Sequence, residues 1–289
     1  MTVSRGRLLG WAAERCAAEG GGERAGRLRL DADRILAHVL GVGRSALYTE
    51  SAAPVDDAPA DEFRRLLARR LAGEPLPYVL GTEFFGPFEL LVDPRVLIPR
   101  PETRLLVERA LSLLPSPSGA CVVDLGTGSG NIALCMAAAG CGVLATDVSA
   151  EALELAEENW RRVGLDGAIT GLCGDLYGPL EACVQRGSCD AVLCNPPYVA
   201  SGELAGLQPE VRFEPRLALD GGPDGLDLIR RLVAGAAEWL RAGGYLVLEI
   251  GAGQGEAVRC LVEAEAGLEF LGVEKDRAGI PRVVSAARR

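Results

Sequence analysis

Histidine is almost absent: His38 is the only one in 289 residues. A Ser-His-Asp triad, a two-histidine zinc site and an imidazole proton relay are therefore hard to build from this chain. Lysine is as scarce, with Lys275 alone against 29 arginines, which reads as a coding bias and not a binding device. Nine cysteines stand at 16, 121, 135, 141, 173, 183, 189, 194 and 260, and none forms a Cys-x-x-Cys pair. Several lie in apolar, strand-like runs, so reduced thiols of a cytoplasmic protein are expected, not metal ligands or disulfides. No run approaches the ~18 apolar residues that suggest a membrane span. Residues 1–15 hold no apolar signal-peptide core, so neither export nor a membrane is expected. His38 itself, in "DADRILAHVLG", is expected to pack within a helix.

What is present is the composition of a folded soluble chain, 48% hydrophobic and 24% charged, long enough for one large domain and a small one. The net charge of −10 is uneven. Residues 1–80 carry 12 arginines against 11 acidic residues, whereas residues 81–289 carry 18 basic against 29 acidic. So acidic a larger part argues against nonspecific binding to nucleic acid, which depends on neutralising phosphates.

The first 75 residues read as helices only. "LLGWAAERCAAEG", "DADRILAHVLG" and "ADEFRRLLARRLAG" repeat apolar residues at three- and four-residue spacing between Gly-, Asp- and Pro-rich breaks. A small bundle that docks a partner and does no chemistry is the expectation for residues 1–75. Residues 76–98 mix glycines and prolines with short aromatic runs and read as a hairpin-like connector. From there to residue 289, apolar strands alternate with helices: "ACVVDLG", "GVLATDVS", "AITGLCGD", "CDAVLCNPP" and "YLVLEIG" are the strands. That alternation predicts an α/β fold with a mostly parallel sheet and ligands at the strands' C-terminal ends. The last two strands, "LEFLGVEKD" and "RVVSAAR", have no helix between them and predict one antiparallel strand at an edge.

The chemistry gathers at strand ends. After the first strand comes "DLGTGSGN", where Gly126, Thr127, Gly128, Ser129 and Gly130 allow a tight turn and a close backbone approach to a ligand. Residues 128–133 also satisfy the dinucleotide fingerprint, so a nicotinamide cofactor stands as a rival. Asp147 ends the second strand, where a carboxylate accepts ribose hydroxyls or caps the next helix. Asp175 and Leu176 follow the third, in reach of an adenine. At the fourth stands "NPPY", residues 195–198. A proline keeps its carbonyl as an acceptor, and a residue before proline is held extended. Asn195 and Pro196 thus present two oxygens to a planar NH2 group, with Pro197 stiffening the turn and Tyr198 offering a flat face.

These residues resemble methyltransferases that use S-adenosylmethionine and act on amide or exocyclic amino nitrogens. With "FGPFELLVDPRVLIPRPET" (85–103), "VRFEP" (211–215) and "AGIPRVV" (278–284), the chain is similar to the HemK/PrmC family, the protein-glutamine methyltransferases of peptide-chain release factors. The resemblance implies a Rossmann-like methyltransferase sheet over 99–289 and S-adenosylmethionine held by residues 126–130, Asp147, Asp175, Leu176 and Asn195. It further implies a release factor as protein partner, with methyl transfer to the glutamine of its Gly-Gly-Gln loop by Asn195, Pro196, Pro197 and Tyr198. Leu176 stands where some members carry an aromatic residue. Arg100, Glu102 and Arg212 are candidates for framing the pocket, or for holding loops together as ion pairs. Three other readings stay open: a ribosomal-protein glutamine methyltransferase, an adenine-specific DNA methyltransferase, and a non-catalytic nucleotide-binding protein.

Overall fold

The computed structural model describes residues 2–289, which divide into two units. One runs through Thr82 and includes Pro209–Phe213; the other comprises Glu83–Gln208 and Glu214–Arg289.

The first unit holds the helices α1 (Arg5–Ala18), α2 (Gly22–Leu40), α3 (Ala46–Thr49), α4 (Asp57–Leu71) and α5 (Leu76–Leu80). Two-residue strands β1 (Val3–Ser4) and β2 (Pro54–Val55) pair antiparallel beside them. Each long helix buries one stripe: Leu8, Ala12 and Cys16; Leu28, Ala32, Ile35 and Leu36; Phe63, Leu66 and Leu67. These three- and four-residue spacings are the sequence signal made physical. His38 falls off the stripe and is exposed in the last turn of α2, so it does not pack as expected. Residues 76–80, read from sequence as the start of a connector, are helical.

The second unit opens with the hairpin β3 (Thr82–Phe85) and β4 (Phe88–Leu91). After α6 (Thr103–Leu113) come β5 (Cys121–Leu125), α7 (Asn131–Ala138), β6 (Gly142–Asp147), α8 (Ala150–Val163), β7 (Ile169–Cys173) and β8 (Cys189–Cys194). Then follow α9 (Asp227–Trp239), β9 (Leu240–Glu249), α10 (Gly255–Ala264), β10 (Leu268–Lys275) and β11 (Pro281–Arg288). The seven strands from β5 onward form one Rossmann-like sheet ordered β10-β11-β9-β8-β5-β6-β7. Neighbouring residues along each strand face opposite cores. Val122, Ala191 and Val247 meet α6, α7 and α8, while Val123, Val192 and Leu248 meet α9 and α10. Burial on both faces is why these strands read as unbroken apolar runs.

The single antiparallel strand is β11, and it sits one place in from the edge, between β9 and β10. Its central residues Val283–Ala286 are buried, whereas β10 buries only Leu268 and exposes Glu269, Leu271 and Lys275. The strand with two apolar faces takes the inner position, and the half-polar one takes the edge. Strand β9 also starts earlier than the sequence suggests. "RAGG", which precedes the "YLVLEIG" expected as strand, is already strand, with a register shift opposite Cys189–Ala191.

The parallel register brings Leu125, Thr146 and Cys194 level, and Asp147 opposite Cys173. From β5 the chain order runs outward to β6 and β7 on one side and to β8 and β9 on the other. A crevice beyond the strand ends opens at such a reversal, and α/β proteins bind ligands there.

Candidate active site

That crevice is a cleft of about 940 Å³. Residues from the ends of β5, β6, β7 and β8 line it, together with segments 94–103 and 215–222. Of the residues singled out from sequence, Gly126, Thr127, Gly128, Ser129, Asp147, Asp175, Leu176, Asn195, Pro196 and Pro197 all line it. Gly130 and Tyr198 do not.

The glycine turn is pinned from below. Asp124, wholly buried, accepts from the Thr127 hydroxyl at 2.7 Å and from the Ala133 N–H at 3.2 Å. Its other oxygen has no partner, and burial pushes its pKa up to about 7. Asp147 accepts from the Gly128 N–H and the Ser149 N–H, both at 2.9 Å, and the Val148 N–H also reaches it. Three backbone donors thus take much of a carboxylate's roughly four acceptor positions. Asp147 is 9% exposed, and burial raises its pKa in spite of those donors. It holds Ser149, the N-cap of α8, and clamps the glycine turn while lining the cleft.

Gly130 serves the fold instead of the cleft. It lies in the left-handed region at φ 81° as the N-cap of α7, and a Cβ here would overlap the Trp160 indole nitrogen. Gly130→Ala is expected to lose about 2–4 kcal/mol of folding stability, from left-handed strain and overpacking together. Denaturant unfolding reads this directly, and an unchanged midpoint would contradict it. Asn159 adds a second support from α8, donating to the carbonyls of Ser129 at 3.0 Å and Leu91 at 3.1 Å.

At the third strand's end, Asp175 is paired with Arg231, and its side chain is 56% exposed at the cleft rim. Leu176 is the one non-glycine residue with positive φ among the described residues, at 46°. The Thr146 hydroxyl donates to its carbonyl at 3.2 Å and holds that uncommon backbone in place. Leu176 lines the cleft and also packs against the core beneath it.

Asn195 leaves β8 with its Nδ2 donating to the Thr103 hydroxyl oxygen at 3.2 Å. The turn that follows is tied down on both sides. Val199 exchanges main-chain hydrogen bonds with Leu219 and Gly221, and Gln254 donates to the Tyr198 carbonyl at 3.0 Å. The Tyr198 ring is drawn away from the cleft, its hydroxyl donating to buried Glu249 at 3.4 Å. Burial raises the Tyr198 pKa to about 12. The flat face expected at Tyr198 is therefore not part of the lining.

Arg100 lines the cleft and donates to Glu214 at 2.5 Å, and Glu214 also accepts from the Ile98 N–H at 3.0 Å. Arg100 thus holds segment 97–100 to the "EP" of "VRFEP". Glu102 and Arg212 are not among the lining residues. Glu214, Thr103, Glu249 and Arg231 were not singled out from sequence. Glu249 had a signal, a lone acid closing the apolar run "YLVLEIG"; Arg231 had none. Among the described residues no cluster of His, Cys, Asp or Glu could hold a metal ion, and no helix is long and apolar enough to cross a membrane.

Known proteins resemble this chain in sequence and fold. Residues 7–81 match the PrmC N-terminal domain, and residues 101–207 match the methyltransferase small domain. The release factor glutamine methyltransferase of Moorella thermoacetica is 43% identical over 283 residues, covering 97% of each chain. That of Bordetella pertussis is 44% identical over 259 residues, covering 88% of this chain and 93% of its own. A crystallised methyltransferase from Pyrococcus furiosus shares the fold, with a TM-score of 0.52 at 19% identity over 76% of this chain and 96% of that one. Likeness of this degree over nearly the full length settles the lineage: the chain belongs to the release factor glutamine methyltransferase family.

Proposed function

We propose that this chain transfers a methyl group from S-adenosylmethionine to the side-chain amide nitrogen of the glutamine in the Gly-Gly-Gln motif of class I peptide-chain release factors, in the cytoplasm. The observation that carries the reading is the orientation of Asn195. Its Nδ2 is spent on Thr103, so its oxygen is left for the cleft, next to Pro196 and beside the glycine turn.

The residues present fit the cofactor. Asp147 has acceptor capacity left for a ribose hydroxyl. The turn at 126–129 lets a ligand approach backbone, and Leu176, held open by its backbone, offers an apolar surface for an adenine beside Asp175. S-adenosylmethionine supplies a methyl group on a sulfonium, a good leaving group.

The acceptor is the difficult partner, because an amide lone pair is delocalised into its carbonyl. Asn195 Oδ1 and the Pro196 carbonyl oxygen accept the two N–H groups of the substrate amide and aim its nitrogen. As the nitrogen–methyl bond forms and the methyl–sulfur bond breaks, positive charge grows on that nitrogen, and the two oxygens favour it. The N-protonated amide is strongly acidic, so its proton leaves to water without a protein base. A chain with one histidine, exposed on α2, is suited to such a step.

Residues 1–75, near neutral and without catalytic side chains, are proposed to dock the factor. A transfer assay with methyl-labelled S-adenosylmethionine tests these readings. Intact factor should be labelled, and a factor whose Gly-Gly-Gln glutamine is replaced by glutamate should not. Without residues 1–75 the chain should keep cofactor affinity and label intact factor poorly. Label on the glutamate variant would overturn the substrate reading, and full efficiency after truncation would overturn the docking role.

A further inference from the structure

The cleft wall beside Asn195 is short of main-chain donors. Prolines carry no N–H, and Pro94, Pro99, Pro196, Pro197 and Pro215 all line the cleft. Along segment 94–103, the N–H groups of Arg95 and Val96 are spent on Asp93 and that of Ile98 on Glu214. A peptide loop entering this cleft brings main-chain carbonyls with it, and a carbonyl buried without a donor is costly. Glycines beside the acceptor residue have no side chain to shield those carbonyls.

Arg100 can meet that demand. Its side chain is 32% exposed in the cleft, and its Nη2 is spent on Glu214 at 2.5 Å. Its Nε and Nη1 have no hydrogen-bond partner among the described residues. Three other arginines line the cleft, and each differs. Arg95 and Arg216 each use two nitrogens on an aspartate, and Arg231 pairs at the rim with Asp175, itself 56% exposed. The Glu214 side chain, in contrast, is 1% exposed. Both its oxygens are occupied, by Arg100 and by the Ile98 N–H, so the pair is built into the wall. Arg100 is also tied to the acceptor site. Its carbonyl accepts from the Thr103 N–H at 3.2 Å, and the Thr103 hydroxyl accepts from Asn195 Nδ2 at 3.2 Å.

We infer that Arg100 is a substrate-recognition residue: its free guanidinium edge donates to main-chain carbonyl oxygens of the loop that carries the acceptor glutamine, and Glu214 positions it. The role rests on the transfer chemistry proposed for the cleft and adds to it the part of the substrate held beside the glutamine side chain. A guanidinium suits the task, because one edge holds Glu214 while another faces the substrate. Glu214 has a second effect. Positive charge grows on the substrate nitrogen during transfer, and a lone cation nearby would oppose it. The buried carboxylate beside Arg100 offsets that charge.

The test compares the full-length parent with Arg100→Lys, Arg100→Ala and Glu214→Gln on intact release factor at saturating S-adenosylmethionine. Arg100→Lys is the sharpest variant, since an ammonium keeps a charge for Glu214 but has no second planar edge for the substrate. It should raise KM for the factor about 10- to 100-fold, the scale of a lost charge-assisted hydrogen bond. It should lower kcat far less and leave cofactor affinity unchanged. Calorimetric affinity for the factor, with the demethylated product of the cofactor bound, should fall by a similar ratio. Arg100→Ala should be at least as poor, and Glu214→Gln should raise KM by less. Because Arg100→Ala leaves a buried carboxylate unpaired and can fail to fold, Arg100→Lys then decides. Parent-like KM and factor affinity in Arg100→Lys would overturn the inference, since lysine preserves an ion pair that only holds the wall. A loss confined to kcat would also overturn it, because that is the mark of a displaced Asn195. If Arg100→Lys weakens factor binding yet the parent methylates no glutamine, the recognition role stands and the transfer reading falls.

Discussion

Asn195→Ala is expected to leave S-adenosylmethionine binding nearly intact while lowering turnover by roughly 10²–10³, the scale of losing one aimed polar group at a developing charge. Without the Asn195 oxygen, only the Pro196 carbonyl holds the substrate amide, which can then rotate out of line with the bond that breaks. Asn195→Asp divides the effect. It keeps an oxygen for the substrate but replaces the NH2 that binds Thr103 with a second acceptor. If accepting from the substrate is all that matters, Asp retains more activity than Ala. If the bond to Thr103 is needed to aim the oxygen, Asp is as poor as Ala. Steady-state rates beside calorimetric cofactor affinities check this, and parent-like turnover in both variants would reduce "NPPY" to a turn.

Asp147→Ala acts on the other half of the reaction. A lost charge-assisted hydrogen bond costs about 1.5–3 kcal/mol, so cofactor affinity should fall about 10- to 150-fold. Part of that loss is indirect. Asp147 is the acceptor for the Gly128, Val148 and Ser149 N–H groups, so its removal also loosens the glycine turn. A cofactor analogue without ribose hydroxyls separates the two contributions. The parent should bind the analogue far more weakly than the cofactor, and Asp147→Ala should bind both alike. Equal affinity of the parent for both ligands would restrict Asp147 to its role as a clamp.

Much of this was open to reading before any coordinates, for reasons that lie in particular residues. Strands β5 and β8 are buried on both faces, so "CVVDL" and "CDAVLC" announce themselves as apolar runs. The ends of β5, β6 and β8 line the cleft, so Gly128, Asp147 and Asn195 could be found by position alone. What stayed hidden depends on pairing in space. The hairpin of β10 and β11 was visible, but not which strand would take the inner place, because that follows from comparing their burial. Gly130 looked like its neighbours Gly126 and Gly128 and turned out to serve Trp160 on α8. Tyr198 looked like a stacking surface until Glu249, 51 residues onward, was seen to hold its hydroxyl. Thr103 and Asn195 are brought together only by the crossover order of the sheet, and no local pattern relates them.

The central claim is that the cleft methylates a glutamine side-chain nitrogen held by Asn195. Tandem mass spectrometry of a release factor, after incubation with the full-length chain and isotope-labelled S-adenosylmethionine, tests it most directly. The account predicts one labelled methyl on the amide nitrogen of the Gly-Gly-Gln glutamine, with the signal collapsing in Asn195→Ala. Label at another residue of the factor, or transfer instead to a ribosomal-protein glutamine or a DNA adenine, would contradict it.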